Sequence, residues 1–436
     1  MSDWSMDLTR RLFLQAALAG TGIGLLGPLG CRRPAADEPS SSAKPLKRLT
    51  IIYLYGGNDG LNTVVPATLN NYTARRGALA LDEGSLHSLN AGPHGSTAYG
   101  LHPSLRHLAA IWADGDLAII NKIGYPIPNG SHFVSQEVWS YGVRGEFAAL
   151  NIAPSGWIAR YADQFAATPT GAISVGEKVP KDMLGGATNR FHVQSLDSFN
   201  LMPPYVRRHI EGLRQFAIEP DDRRRLERIM EVMQAVDQRG LKRDVRDAMA
   251  GATEMLDVIR DALAKYKTSV VYPDTTPATY LRDIATLCRA GLDTRIYFTG
   301  YSDFDHHSSQ GERHADLLLQ LDAGLGAFVA DMKTMGIWDD MVVAVVSEFG
   351  RRNYANGSNG TDHGEGNLAL VLGGGVKGGF YGSDLTTADL AAESLPVEID
   401  FRSIYREVLE KHLGADPTNV FPEPQDRNAA LGFFAT

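Results

Sequence analysis

Five short stretches of this chain carry side chains that can do chemistry. Asp59 lies in Gly56-Gly57-Asn58-Asp59-Gly60, Ser131 and His132 follow Asn129-Gly130, and Asp303, Asp305, His306 and His307 stand close together. Farther on come Glu348, in Ser347-Glu348-Phe349-Gly350-Arg351, and His363, in Thr361-Asp362-His363-Gly364. Carboxylate oxygens and imidazole nitrogens gathered in one pocket suit Zn²⁺ or Mn²⁺. A serine hydroxyl beside such an ion can be activated as an alkoxide nucleophile. Each residue also has an ordinary reading. Asp59 can be a turn residue, Ser131 a helix cap whose hydroxyl satisfies free amides, and Glu348 the partner of Arg351 or Arg352 in a surface ion pair. His306 and His307 are adjacent and cannot easily face one ion, so one of them is structural.

The rhythm of the chain is what would gather these residues. Leu49–Tyr55, Leu117–Ile120, Thr294–Thr299 and Met341–Val346 are apolar runs bounded by turn residues, and they read as buried strands. Each is followed by one of the polar stretches, and Asn367–Leu372 is a further apolar run after His363. Helices are expected over Leu101–Ala113, Val134–Tyr141, Thr279–Ala290, Glu312–Met335 and Phe401–Leu413, and short strands over 171–175 and 191–196. Strands alternating with helices make a parallel α/β sheet. In such sheets chemistry sits just past the carboxyl ends of the strands. The stripe Leu318, Leu321, Leu325, Phe328 and Met332 is core packing. Residues 203–267 are charged and helical, an insertion or cap over the sheet edge. Within them Arg223, Arg224 and Arg225 lie among Asp221, Asp222 and Glu227 and read as a solvated face.

With 436 residues, 44% hydrophobic and 21% charged, the chain is long enough for one large α/β domain or two smaller ones. Its net charge of -9 argues against a nucleic-acid surface, which needs clustered Lys and Arg. Thr9-Arg10-Arg11-Leu12-Phe13-Leu14 is a twin-arginine signature. The weakly hydrophobic run behind it, Ala16–Leu29, is shorter than the roughly 20 residues of a membrane span. Residues 1–31 therefore read as an export signal outside the fold, and residues 32–47, rich in Pro, Ser and Ala, as a flexible tether. The expected location is periplasmic, with the twin-arginine translocase as a partner in transit. Cys31 is a candidate for lipid attachment and the one expected tie to a membrane. Cys288 reads as a buried small hydrophobe. Gly22-Ile23-Gly24-Leu25-Leu26-Gly27 has dinucleotide-fingerprint spacing but no strand before it. No Gly-x-Ser-x-Gly elbow occurs, and the glycine run Gly373–Gly379 lacks the Ser or Thr of a phosphate loop.

In combination, Gly56-Gly57-Asn58-Asp59-Gly60-Leu61-Asn62, Ser131-His132-Phe133, Asp305-His306-His307 with Gln310, Ser347-Glu348-Phe349-Gly350-Arg351 and Gly360-Thr361-Asp362-His363-Gly364 resemble domain-of-unknown-function family fifteen-oh-one. Its members are twin-arginine-exported bacterial proteins of the alkaline phosphatase and sulfatase superfamily. The resemblance implies one three-layer domain of alkaline-phosphatase type over residues 48–436, with a mostly parallel sheet, helices on both faces and the insertion at about 203–267. It implies a two-metal hydrolase of phosphate or sulfate esters, acting on a small molecule or a polymer. Carried over residue by residue, Ser131 becomes the nucleophile, with His132 beside it. Asp305, His307 and His363 hold the first metal, Zn²⁺ or Mn²⁺, with Asp303 competing for the place of Asp305. Asp59, Ser131 and Glu348 hold the second. Phe349 stands where relatives have that metal's histidine, and Glu348 where they have aspartate, so the second site is oxygen-only and suits Mg²⁺ or Ca²⁺. His132 and His306 are the imidazoles that could complete it. A second function class stays open beside the hydrolase: an exported binding or assembly protein with a degenerate metal site.

Overall fold

The computed structural model describes residues 23–26, 45–91, 98–145, 155–166, 170–186, 190–196, 268–421, 423 and 430–434. The apolar runs pair into one ten-stranded sheet. Its strands are β1 (Ile23–Leu26), β2 (Arg48–Leu54), β6 (Leu117–Gly124), β7 (Ala172–Val175), β8 (Arg190–Val193), β9 (Ile296–Tyr301), β10 (Met341–Val346), β11 (Asn367–Leu372), β12 (Gly379–Tyr381) and β13 (Ile399–Asp400). The order is β1-β8-β7-β9-β2-β10-β11-β6-β12, with β13 also on β6. At the centre β9, β2 and β10 are parallel. β11 runs against β10, and β6 against β11, so β6 again points the way of β10.

Period-two alternation sorts each central strand onto two faces. Ile52 and Leu54 share one core with Met341, Val343 and Val345, while Leu49, Ile51 and Tyr53 share the other with Val342, Ala344 and Val346. A strand buried on both faces must be apolar at nearly every position, as these are. Helices complete three layers. In chain order they are α1 (Gly60–Thr63), α2 (Asn70–Arg76), α3 (Arg106–Ala113), α4 (His132–Tyr141), α5 (Trp157–Phe165), α6 (Thr276–Arg289), α7 (Gln310–Thr334), α8 (Thr387–Ala391) and α9 (Arg402–Glu407). Leu108, Leu281, Leu321, Leu325 and Phe328 cover the first face from α3, α6 and α7. Trp139, Trp157, Ile158 and Tyr405 cover the second from α4, α5 and α9. Cys288 is free and buried, and burial pushes its thiol up to about 11.

Three expectations differ from what is observed. The helix expected from Leu101 starts at Arg106. Leu101 instead ends β5 (Ala98–Leu101), which pairs with β3 (Val64–Val65) and β4 (His87–Ala91) in a small antiparallel sheet with no clear alternation in the sequence. The expected terminal helix over Phe401–Leu413 is α-helical only to Glu407 and continues in wider turns over Val408–His412. Ile23–Leu26, expected outside the fold, pairs antiparallel with β8 as β1, where an open sheet edge offers unpaired backbone groups. The insertion at 203–267, the tether up to residue 44 and Cys31 lie outside the described residues.

One feature of this topology was not visible in the strand pattern. β11 is antiparallel, so its start lies on the same edge as the ends of β2, β6, β9 and β10. The loop from Ser347 to Gly366 therefore leaves that edge and returns to it, carrying His363 back. Asn367, at the start of β11, fastens the return by donating to the backbone oxygens of Asn58 and Phe349.

Candidate metal centre

The end of β2 is a glycine turn because two neighbours press on it. Gly56 and Gly57 have φ of 115° and 74°, values that side chains rarely allow. A Cβ on Gly56 would lie 2.5 Å from the Asp305 amide nitrogen, and one on Gly57 would lie 2.6 Å from the Phe349 ring. The Asp305 loop after β9 thus docks directly on the β2 turn, with buried Phe304 as its anchor. Arg351 ties the same pieces together from below. Its guanidinium, 3% exposed, donates to Gly56 O, Gly57 O (2.7 Å), Thr361 O (2.8 Å) and Asp305 Oδ1 (2.6 Å).

Around Asp305 three imidazoles converge. His363 Nε2 lies 3.2 Å and His307 Nε2 3.0 Å from Asp305 Oδ1. His132 Nε2 lies 3.3 Å from Asp305 Oδ2 but lacks hydrogen-bond geometry, and this buried atom has no partner. His132, Asp305 and His363 place one donor atom each within 4.8 Å of one another, a metal-sized group. His307 sits against two of them, its Nε2 3.0 Å from that of His363. Phe349, 2% exposed, is the floor: its ring centroid is 4.8 Å from those of both His132 and His363.

The far side of each ring decides what the near side can do. His132 Nδ1 meets Glu348 Oε1 at 2.9 Å, His307 Nδ1 meets Asp362 Oδ1 at 2.9 Å, and His363 Nδ1 meets Gly130 O at 2.6 Å. Carboxylates and carbonyls only accept, so each Nδ1 is the donor. In the neutral tautomer every Nε2 then presents a lone pair to the same small space. Two such lone pairs 3.0 Å apart, as in His307 and His363, repel unless a proton or cation lies between them. Imidazoles oriented through Nδ1 with Nε2 left for an ion are the usual outer arrangement of a metal site. The residues present therefore fit a divalent cation, and a group of imidazole nitrogens with one carboxylate, His132, His363 and Asp305 with His307 alongside, suits Zn²⁺ better than Mg²⁺ or Ca²⁺.

Charge in the group follows its partners. Burial works to raise the Asp305 pKa, but the hydrogen bond and charge of Arg351, then His363 and His132, hold it well below the usual range. The Glu348 hydrogen bond raises His132, and burial lowers His363.

The other expected residues are placed differently. Asp59 is 3% exposed and its Oδ2 accepts from Arg76 and Gln310. Burial would raise its pKa, but the Arg76 charge, with His314 and Gln310, lowers it. Glu348 is fully buried rather than in a surface ion pair. Its Oε1 accepts from Gly56 N (2.9 Å), His132 Nδ1 and Gln136 Nε2 (3.0 Å), and its Oε2 from Ser347 Oγ (3.2 Å). Burial pushes Glu348 up, and these donors together bring it below the ordinary value. Both acids are thus engaged by internal partners. Asp303 is exposed, at φ 78°, and outside the metal-sized group. His306 is buried beside His314, their ring centroids 6.3 Å apart. Ser131 starts α4, yet its hydroxyl makes no capping bond. Its chain neighbours, Gly130 and His132, both touch the group.

Sequence reasoning missed Arg76, Gln136 and the Gly130 carbonyl, and gave Arg351 no role beyond a surface pair with Glu348. Arg76 sits in a helix with no motif around it, and a backbone oxygen leaves no sequence signal. Arg351 could have been suspected from its place beside Glu348 at the end of a buried strand.

Among known families, one described as a protein of unknown function, DUF1501, matches residues 153–433. Among curated proteins, no relative matches. Several solved structures are similar at low identity. A protein in the alkaline phosphatase superfamily from Vibrio parahaemolyticus is 10% identical, covering 96% of this chain and 79% of its own, with a TM-score of 0.39. The sulfatase PsFucS1 from Pseudoalteromonas is 11% identical, covering 97% and 75%, at 0.38. The zinc-bound C-terminal periplasmic domain of EcEptC from Escherichia coli is 8% identical, covering 92% of each chain, at 0.37. Similarity at that level does not carry chemistry across, so the chemistry must come from this chain's own side chains.

Proposed function

We propose that this chain, which belongs to the DUF1501 family, is an exported metal-dependent hydrolase of phosphate or sulfate esters. The observation that carries the reading is the convergence of imidazole Nε2 atoms on the Asp305 carboxylate, each ring held by an acceptor at Nδ1. Asp305, His307 and His363 would hold the cation. When bound, a divalent ion supplies positive charge and Lewis acidity to an anionic ester.

The chain's own part is positioning and attack. Ser131 Oγ, free of a capping role, is the nucleophile. It forms the bond to phosphorus or sulfur, the ester oxygen leaves as the alcohol with the serine proton, and water then releases phosphate or sulfate and restores the hydroxyl. The first-turn amides of α4, ten residues long, and the positive end of its dipole suit the non-bridging oxygens. Phe349 closes the floor of the site to water. Phe133, 80% exposed and directly after His132, offers apolar surface to the organic part of the ester.

Turnover of an aryl phosphate and an aryl sulfate by the purified mature protein tests the reading. Loss of turnover in Ser131→Ala, with the melting curve unchanged, is the expected result; equal turnover removes Ser131 as nucleophile. Export is tested by fractionating cells: Arg10→Lys with Arg11→Lys should keep the protein in the cytoplasm. The second reading, a binding or assembly protein, is favoured by the commitment of Asp59 and Glu348 to internal partners, and absence of turnover with metal retained would select it.

A further inference from the structure

We propose that the centre holds one divalent cation per chain, with His132 as a protein ligand beside Asp305 and His363 and Glu348 as the residue that positions His132. The proposal rests on the metal-hydrolase reading and changes its stoichiometry. A two-metal site needs a second set of ligands, and here both of its acids already have internal partners. Asp59 faces the permanently charged Arg76, which is fully buried and is held in turn by Asn62 Oδ1 and by Arg352 O at 3.0 Å. The chain's own guanidinium thus supplies the positive charge at that acid. Glu348 Oε1 has three donors already, and no part of the residue reaches solvent. Phe349 fills the place beside it with a ring that has no lone pair to give.

What Glu348 does instead is visible on His132. It accepts the hydrogen bond from Nδ1 and aims Nε2 at Asp305, where the atom is buried and unpartnered. An unpartnered buried ring nitrogen is costly unless something fills it, and a carboxylate–histidine pair with the outer nitrogen free is how a protein fixes a metal ligand. The His132 and His363 rings meet edge to face with centroids 4.4 Å apart, and each has a donor atom within 4.8 Å of the other's and of Asp305's, close enough to share one ion. Glu348 is a positioning residue acting through His132, and the His132–Glu348 pair stands where the second metal's ligands were expected.

The test is metal stoichiometry and ligand-field spectroscopy on the purified mature chain. Metal-free protein is titrated with Zn²⁺ by calorimetry, and the Co²⁺-loaded form is read in the visible range, with thermal unfolding to check each variant. The expected result is one equivalent of Zn²⁺. His132→Ala should weaken Zn²⁺ at least tenfold and shift the Co²⁺ bands. Glu348→Gln should keep the bands of the wild type while weakening affinity about 10–100-fold, as loss of an outer partner does. Asp59→Asn should leave stoichiometry and spectrum unchanged. Two equivalents in the wild type, falling to one in Glu348→Gln or Asp59→Asn, would overturn the inference and leave the hydrolase reading standing. Unchanged affinity and bands in His132→Ala would remove His132 as a ligand. No binding of Zn²⁺ or Co²⁺ at all would overturn both.

Discussion

Two groups of acids lie along the same edge of the sheet and have opposite fates. Asp305 is 42% exposed on its side chain and faces three imidazole nitrogens whose lone pairs have no internal use. Asp59 and Glu348 are buried and hydrogen-bonded internally, one by Arg76 and Gln310, the other by His132, Gln136, the Gly56 amide and the Ser347 hydroxyl. Residue type and strand-end position are alike in both groups. What separates them is exposure: Asp305, although Arg351 donates to its Oδ1, also opens onto the three imidazoles, whereas Asp59 and Glu348 are enclosed among internal donors. A carboxylate enclosed among internal donors belongs to the fold; one that also opens onto imidazole nitrogens awaits an ion.

The sharpest way to break that distinction is Asp59→Ala. Truncation strands the Arg76 guanidinium in a fully buried place, and breaking a buried pair costs about 3–5 kcal/mol. Urea unfolding should show that loss, while bound metal per folded chain stays at the wild-type value. If metal falls instead and stability does not, Asp59 is a ligand and the two groups are one. Asp305→Asn is the reverse experiment. It keeps an acceptor for Arg351 but removes the charge facing three imidazoles, so Zn²⁺ affinity should drop by about two orders of magnitude, roughly 2.7 kcal/mol, measured by competition with a chelator.

A third buried acid extends the comparison, because its partners are all neutral. Asp182 is 3% exposed and accepts from Ser140 Oγ (2.8 Å) and Trp157 Nε1 (3.1 Å). Tyr53, Tyr55, Tyr141 and Tyr405 lie within its field, and none supplies positive charge. Burial pushes its carboxyl up to about 6. The folded pKa is above the unfolded value, so the folded state holds this proton more tightly. Stability contributed by the group is therefore present below about pH 4 and lost as pH rises through about 6, on the order of 2–3 kcal/mol. Asp182→Asn should flatten that part of the stability–pH curve from urea unfolding between pH 4 and 7; an unchanged slope would place the proton elsewhere.

The sequence made the fold legible where burial dictates composition. The central strands are apolar at nearly every position because both faces are covered, and the stripe on α7 repeats at helical spacing because one face packs on β2 and β10. The small sheet of β3, β4 and β5 was not legible: its strands are short and depend on pairing partners rather than pattern. At the site, the gathering of Asp305, His307 and His363 followed from strand ends and the family likeness. The partition of the acids did not. That depends on Arg76 reaching Asp59 from a helix seventeen residues on, and on His132 turning its Nδ1 toward Glu348, and neither contact leaves a spacing in the chain. Phe349 and Glu348 were the departures visible from sequence, and they mark the side of the site where the acids are held by internal partners.

The smallest expected effect concerns the rim beside the open group. Phe133 and Ile127 are 80% and 61% exposed, on either side of Ser131 in the chain. A ring this exposed adds little to stability, because most of its surface is still in water, so Phe133→Ala should leave the unfolding free energy within about 0.5 kcal/mol. It touches neither Asp305 nor the histidine network, so Zn²⁺ binding should also stay unchanged. If the ester's organic part lies on this surface, losing the contact removes a uniform binding contribution of about 1 kcal/mol. That raises KM for a naphthyl phosphate several-fold with kcat unchanged. A methyl phosphate ester, too small to reach the ring, should show no change in KM. A shift in kcat for both esters would instead put Phe133 in control of the α4 start, where Ser131 and His132 are set.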